Sequence, residues 1–122
     1  MNMVSLIHLF SEMSNLISLD VSEFNTGNVK DMTGMFYQCE RLREIKTSKF
    51  DTKNVEDFSF MFFGCKSLTS LDVSNFEASK ANDISFMFRD YTGIKELNME
   101  KFDTSKVQIC LTCSVIVIDN QL

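Results

Sequence analysis

Four cysteines, one histidine and a periodic row of aspartates are the side chains of this 122-residue chain best suited to chemistry. Cys110 and Cys113 form a C-x-x-C pair, the spacing used in dithiol redox exchange and in half of a zinc site. Redox work wants a thioredoxin-like βαβ setting with the first Cys at a helix N-terminus. Zinc wants a second pair, and Cys39 and Cys65 are isolated from each other. Cys110 also falls in a slot filled elsewhere by Met32, Phe58 and Ile84, so a core or chance residue is the preferred reading. Cys39 and Cys65 share a slot with Met13 and Tyr91 and are expected to pack as small hydrophobes, although a disulfide between neighbouring copies is geometrically conceivable. His8 has no second histidine and no convergent nucleophile or acid–base pair, which argues against catalysis. Asp31, Asp57 and Asp83 suggest either a calcium stripe or helix caps, and one aspartate per repeat at a helix start favours caps. No cofactor and no catalytic residue is expected.

What must position these residues is a repeat of 26. Leu16, Leu42, Leu68 and Ile94 keep that step, as do Leu19, Ile45, Leu71 and Leu97. Two phenylalanine series keep it too: Phe24, Phe50, Phe76 and Phe102, then Phe10, Phe36, Phe62 and Phe88. Leu9, Met35, Met61 and Met87 stand just before the second series. Twelve Phe and eight Met, with no Trp and no Pro, fit a few core slots used many times. Around Leu19-Asp20-Val21-Ser22, Ile45 to Ser48 and Leu71-Asp72-Val73-Ser74 the inward–outward alternation predicts a strand. From Asp57 to Cys65 the period changes, and Met61, Phe62 and Cys65 predict two turns of helix, capped by Asp57 or Ser59 and left through Gly64.

A strand–corner–short-helix unit cannot bury its own apolar face, whereas stacked units cover one another. The expected fold is therefore an α/β solenoid, a leucine-rich-repeat-like stack of 26-residue coils, stabilised above all by the ladders of Phe24, Phe50, Phe76 and Phe102 and of Phe36, Phe62 and Phe88. About four repeats fill residues 1–108: a partial one at 1–15, then 16–41, 42–67, 68–93 and 94–108. The register fails after Val107, and 109–122 reads as a degenerate tail. Met1-Asn2-Met3 starts mid-repeat, so the chain is expected to be a fragment of a longer array.

The pattern L-x-x-L-D-x-S-x-F followed by N-V-x-D-M-x-x-M-F-x-x-C, carried by Leu16, Leu19-Asp20, Ser22, Phe24, Asn28-Val29, Asp31-Met32, Met35-Phe36 and Cys39, resembles the repeats of BspA-like leucine-rich-repeat surface proteins, in particular the variant of mycoplasma-type lipoproteins. The resemblance covers residues 2 to 108 and implies a cell-surface or secreted adhesion protein without enzyme activity. It departs from the wider leucine-rich-repeat pattern in holding Phe24, Phe50, Phe76 and Phe102 where an asparagine ladder usually stands.

A net charge of −5, with scattered Lys and Arg, offers no basic surface for counterion release, which excludes nucleic acid as a favoured partner. There is no basic n-region before an apolar run, so no signal peptide is visible, and Val115–Ile118 is too short to cross a bilayer. The expected function is a non-catalytic protein-binding or adhesion module acting on a protein or other macromolecule. Its candidate face is the outward strand rows: Ser18, Glu44, Ser70 and Glu96; Asp20, Lys46, Asp72 and Asn98; Ser22, Ser48, Ser74 and Glu100. The same rows also fit a solvated charge ladder. The rival readings are a thiol-redox or metal-binding protein centred on Cys110 and Cys113, and a degenerate fragment without independent function.

Overall fold

The computed structural model describes residues 3–69 and 71–89, with the strand backbones 96–98 and 116–118. Alternation over only three residues makes strands just as short. β1 (Ser18–Asp20) pairs in parallel with β2 (Glu44–Lys46), and Leu19 opposes Ile45. Parallel strands need a long crossover, and one repeat supplies it. A second line of parallel bridges joins Ser5 to Asp31, Asp31 to Asp57 and Asp57 to Asp83, again at a step of 26. Residues 71–73 carry no strand pairing. Their link to β2 runs through the Thr47 hydroxyl, which donates to the Asp72 carbonyl at 2.9 Å.

The helix expected from Asp57 to Cys65 is not formed, and no helix occurs among the described residues. The segment is a run of overlapping turns. Within it, Met61 N–H donates to Phe58 O, Phe63 N–H to Phe60 O and Cys65 N–H to Phe62 O. The N–H groups in between point across to the next repeat: Phe58 to Asp83 O, Phe60 to Ser85 O, Phe62 to Met87 O and Gly64 to Arg89 O. In a helix the N–H groups beyond the first turn would all bond within the segment. Here half of them join neighbours, and the i, i+1, i+4 apolar pattern serves the turns equally well.

Such turns require residues at positive φ, and the slots are regular. His8, Gly34, Phe60 and Phe86 have φ of 51°, 58°, 58° and 56°. Glu12, Gln38 and Gly64 follow four residues later at 61°, 55° and 74°. Asp31, Asp57 and Asp83 do cap, but they cap turns. Each carboxylate accepts the N–H two residues on, from Thr33 at 2.9 Å and from Ser59 and Ser85 at 2.8 Å.

The core lies between these ladders. Phe36 stacks on Phe62 at 5.5 Å and Phe62 on Phe88 at 5.6 Å, with ring planes within 6° of parallel. Phe50 stacks on Phe76 at 6.2 Å, while Phe24 is half-buried and stacks on Phe10. Phe102 lies outside the described residues. In place of an asparagine ladder there is a threonine one, two residues further on. Thr26 Oγ1 donates to Asp51 O at 3.1 Å and accepts Asp51 N–H at 2.8 Å. Thr52 repeats both bonds with Glu77, at 2.9 and 2.7 Å. Both hydroxyls are buried and tie one corner to the next, as buried polar groups must.

β3 (Glu96–Asn98) pairs in parallel with β4 (Ile116–Ile118), Glu96 opposite Ile116. The step there is 20 residues, against 26 from Ser18 to Glu44. The β-prone run that breaks the sequence register thus ends in a strand.

Candidate binding faces

The outward strand residues sit side by side as their slots require. Ser18 opposes Glu44 and Asp20 opposes Lys46, all four exposed. Asp20, Ser22, Glu44, Lys46, Ser48, Lys49 and Asp72 line an open groove of about 350 Å³. Lys46 Nζ lies 3.9 Å from Asp20 Oδ2, an exposed pair that solvent and salt screen. The hydroxyl and N–H of Ser22 hold the Asp20 carboxyl below the usual range, helped by Lys46 and Lys49. Ser74 does the same for Asp72, through its N–H at 3.0 Å and its hydroxyl at 2.6 Å. The groove is thus a mixed-charge surface whose two aspartates are both lowered by the serine two residues on. Ser70, Glu100 and the side chains of Glu96 and Asn98 lie outside the described residues.

A second face, with aromatic side chains, sits on the turn run. Tyr37 stacks on Phe63 at 5.1 Å and Phe60 on Phe86 at 5.0 Å. Phe60 and Phe63 join the two stacks at 5.5 Å, and the His8 ring meets Tyr37 edge-on at 5.8 Å. The Arg89 guanidinium caps the strip, 5.8 Å over the Phe86 ring. Tyr37, Phe60, Phe63 and Phe86 are all half-buried. Phe60 and Phe86 hold the positive φ that Gly34 takes at the equivalent slot. Bulky residues in that region cost of order 1–3 kcal/mol and persist only where something else holds them.

Sequence reasoning passed over this strip. The series His8, Gly34, Phe60, Phe86 is visible at the 26-residue step, but on the expected helix it reads as a partly covered surface. The missed signal is the neighbouring series Ser11, Tyr37, Phe63, Arg89, three residues on, which puts a second aromatic row beside the first.

The thiols are packed away. Cys39 and Cys65 are buried and free, and their Sγ atoms donate to Phe10 O at 3.0 Å and Phe36 O at 3.1 Å. Burial pushes both thiols upward, away from thiolate. Among the described residues no group of three His, Cys, Asp or Glu side chains could hold a metal ion, and Cys110 and Cys113 lie outside them. No helix among the described residues is long and apolar enough to cross a membrane.

A family model described as "Mycoplasma protein of unknown function, DUF285" matches residues 4–113. No curated protein and no solved structure matches the chain.

Proposed function

The chain belongs to this Mycoplasma family, and from that premise we propose that it is a non-catalytic binding module of a BspA-like leucine-rich-repeat surface protein. On this reading the 26-residue units build a solenoid, displayed at the cell surface or secreted, that adheres to a macromolecule of a host or neighbouring cell. The observation that carries the proposal is the aromatic strip of Tyr37, Phe60, Phe63 and Phe86. Aromatic side chains dominate binding hot spots, and two of these rings are retained at a backbone angle that glycine would occupy without cost. The strand groove around Lys46 adds a polar contact area. Among the described residues the single histidine packs edge-on against Tyr37, which supports binding over acid–base work.

Binding of the labelled chain to intact epithelial cells tests the reading. Saturable binding is expected, weakened roughly tenfold or more by Phe60→Gly or Phe63→Ala and less by Lys46→Ala. Binding that does not saturate, or that ignores all three substitutions, contradicts it.

A further inference from the structure

Arg41 and Arg43 take no part in the strand groove or the aromatic strip. Both are exposed, on either side of Leu42, which is fully buried in the core. Among the described residues neither guanidinium forms an ion pair or a hydrogen bond.

The neighbouring repeats fix where the pair stands. Arg43 N–H donates to Ile17 O at 2.7 Å, and Thr69 N–H donates to Arg43 O at 3.2 Å. Ile17, Arg43 and Thr69 therefore lie side by side in three consecutive repeats. Arg41 and Ser67 hold equivalent slots two residues earlier. Ile17, Arg41, Arg43 and Ser67 line one open pocket of about 320 Å³. Described repeats bound it on both sides, and it shares no lining residue with the strand groove.

The lining selects the ligand. Two unpaired guanidiniums at one opening call for an anion, since each offers a planar fork of N–H donors that fits a carboxylate. The Ser67 hydroxyl adds a donor that has no partner of its own among the described residues. Polyanions suit the pocket poorly, because the chain carries a net charge of −5 and the exposed Glu40 and Glu44 flank the pair. Ile17 is 55% exposed at the same opening, and it gains only from a ligand that covers it with an apolar group. A carboxylate with an aliphatic side chain beside it meets both demands. Acidic peptides with interspersed aliphatic residues carry that combination, and sulfated sugars do not.

We propose that this pocket binds an acidic, aliphatic peptide segment of a partner protein. One carboxylate sits between Arg41 and Arg43, and a neighbouring aliphatic side chain covers Ile17. The site uses none of the strip residues, so it stands or falls separately from the cell-binding reading.

Fluorescence anisotropy of a labelled, amidated peptide of alternating leucine and glutamate, titrated with the full chain, tests this. Saturable binding is expected, weakened roughly tenfold or more by Arg41→Gln or Arg43→Gln and weakened by added salt. Ile17→Ser should weaken it as well. Both arginines are exposed, so the melting curves of their variants should match the parent, and each variant reads the pocket independently should the other disturb folding. Lys30→Gln removes an exposed positive charge outside the pocket and should leave binding intact, which separates the pocket from net charge. No binding, equal binding of the same peptide with glutamine for glutamate, indifference to both arginine substitutions, or a preference for heparin over the peptide overturns the proposal.

Discussion

Phe60 holds φ at 58° and spends its ring on Phe63 and Phe86, so its backbone is strained and its side chain useful. Phe60→Gly relieves about 1 kcal/mol of strain and loses a half-buried ring worth a similar amount. The chemical-denaturation midpoint should barely move while cell binding falls. A large loss of stability would mean that the ring is there for packing. Thr52 makes the opposite case: it is buried, with both bonds of its hydroxyl going to Glu77. Thr52→Val keeps the shape and orphans the Glu77 N–H, so denaturant melts should show a loss of about 1–3 kcal/mol. For the buried thiols of Cys39 and Cys65, iodoacetamide with peptide mass analysis should find both unlabelled in the native chain and labelled in denaturant.

Asp20 and Asp72 are lowered in the folded state, so the unfolded chain takes up their protons first as the pH falls. Their contribution is complete above the ordinary carboxylate value near 4 and fades as the pH drops through the folded values below it. Asp72→Asn should flatten that acid slope in urea midpoints. An unchanged slope would show that the Ser74 bonds do not hold the carboxylate.

At the scale of elements, the turn run depends on residues that tolerate positive φ. A Cβ at Gly64, φ 74°, would meet Gln38 Cγ at 3.1 Å. Gly64→Ala should cost about 1 kcal/mol or somewhat more by thermal melting. Indifference to that change would argue that the run is helical after all. Two of the three expected strands are legible because Leu19 and Ile45 alternate with exposed neighbours, whereas Leu71-Asp72-Val73-Ser74 shows the same alternation and forms no strand. The turn run is not legible. Met61, Phe62 and Cys65 satisfy a helical face and a turn run alike, and nothing in a single repeat tells where the N–H of Phe60 or Phe62 will point. That choice is made by the adjacent repeat, whose Ser85 and Met87 carbonyls receive them. The threonine ladder escaped for a related reason. Thr26 and Thr52 look like ordinary corner polars until the next corner's backbone is in place. The aspartates, expected as helix caps, cap turns instead, because a short carboxylate two residues ahead of an N–H serves either structure.

Across the whole molecule, register is what brings equivalent residues together. The step of 26 that aligns Phe36, Phe62 and Phe88 in the sequence also sets the Ser18–Glu44 pairing and the aspartate bridges. Phe62 lies between two parallel rings and is fully buried, so Phe62→Ala should cost ~3–5 kcal/mol in equilibrium unfolding. The proposed binding strip, in contrast, is not written in the repeat: the core slots recur from unit to unit, while the slots of Tyr37, Phe60 and Phe63 change residue type.

The most direct test is an NMR measurement of ring-to-ring nuclear Overhauser effects in a phenylalanine-labelled chain. Cross-peaks linking Phe62 to both Phe36 and Phe88, with non-helical shifts across 58–64, are predicted. Rings without mutual cross-peaks, or helical shifts through that segment, would contradict the stacking on which everything else depends.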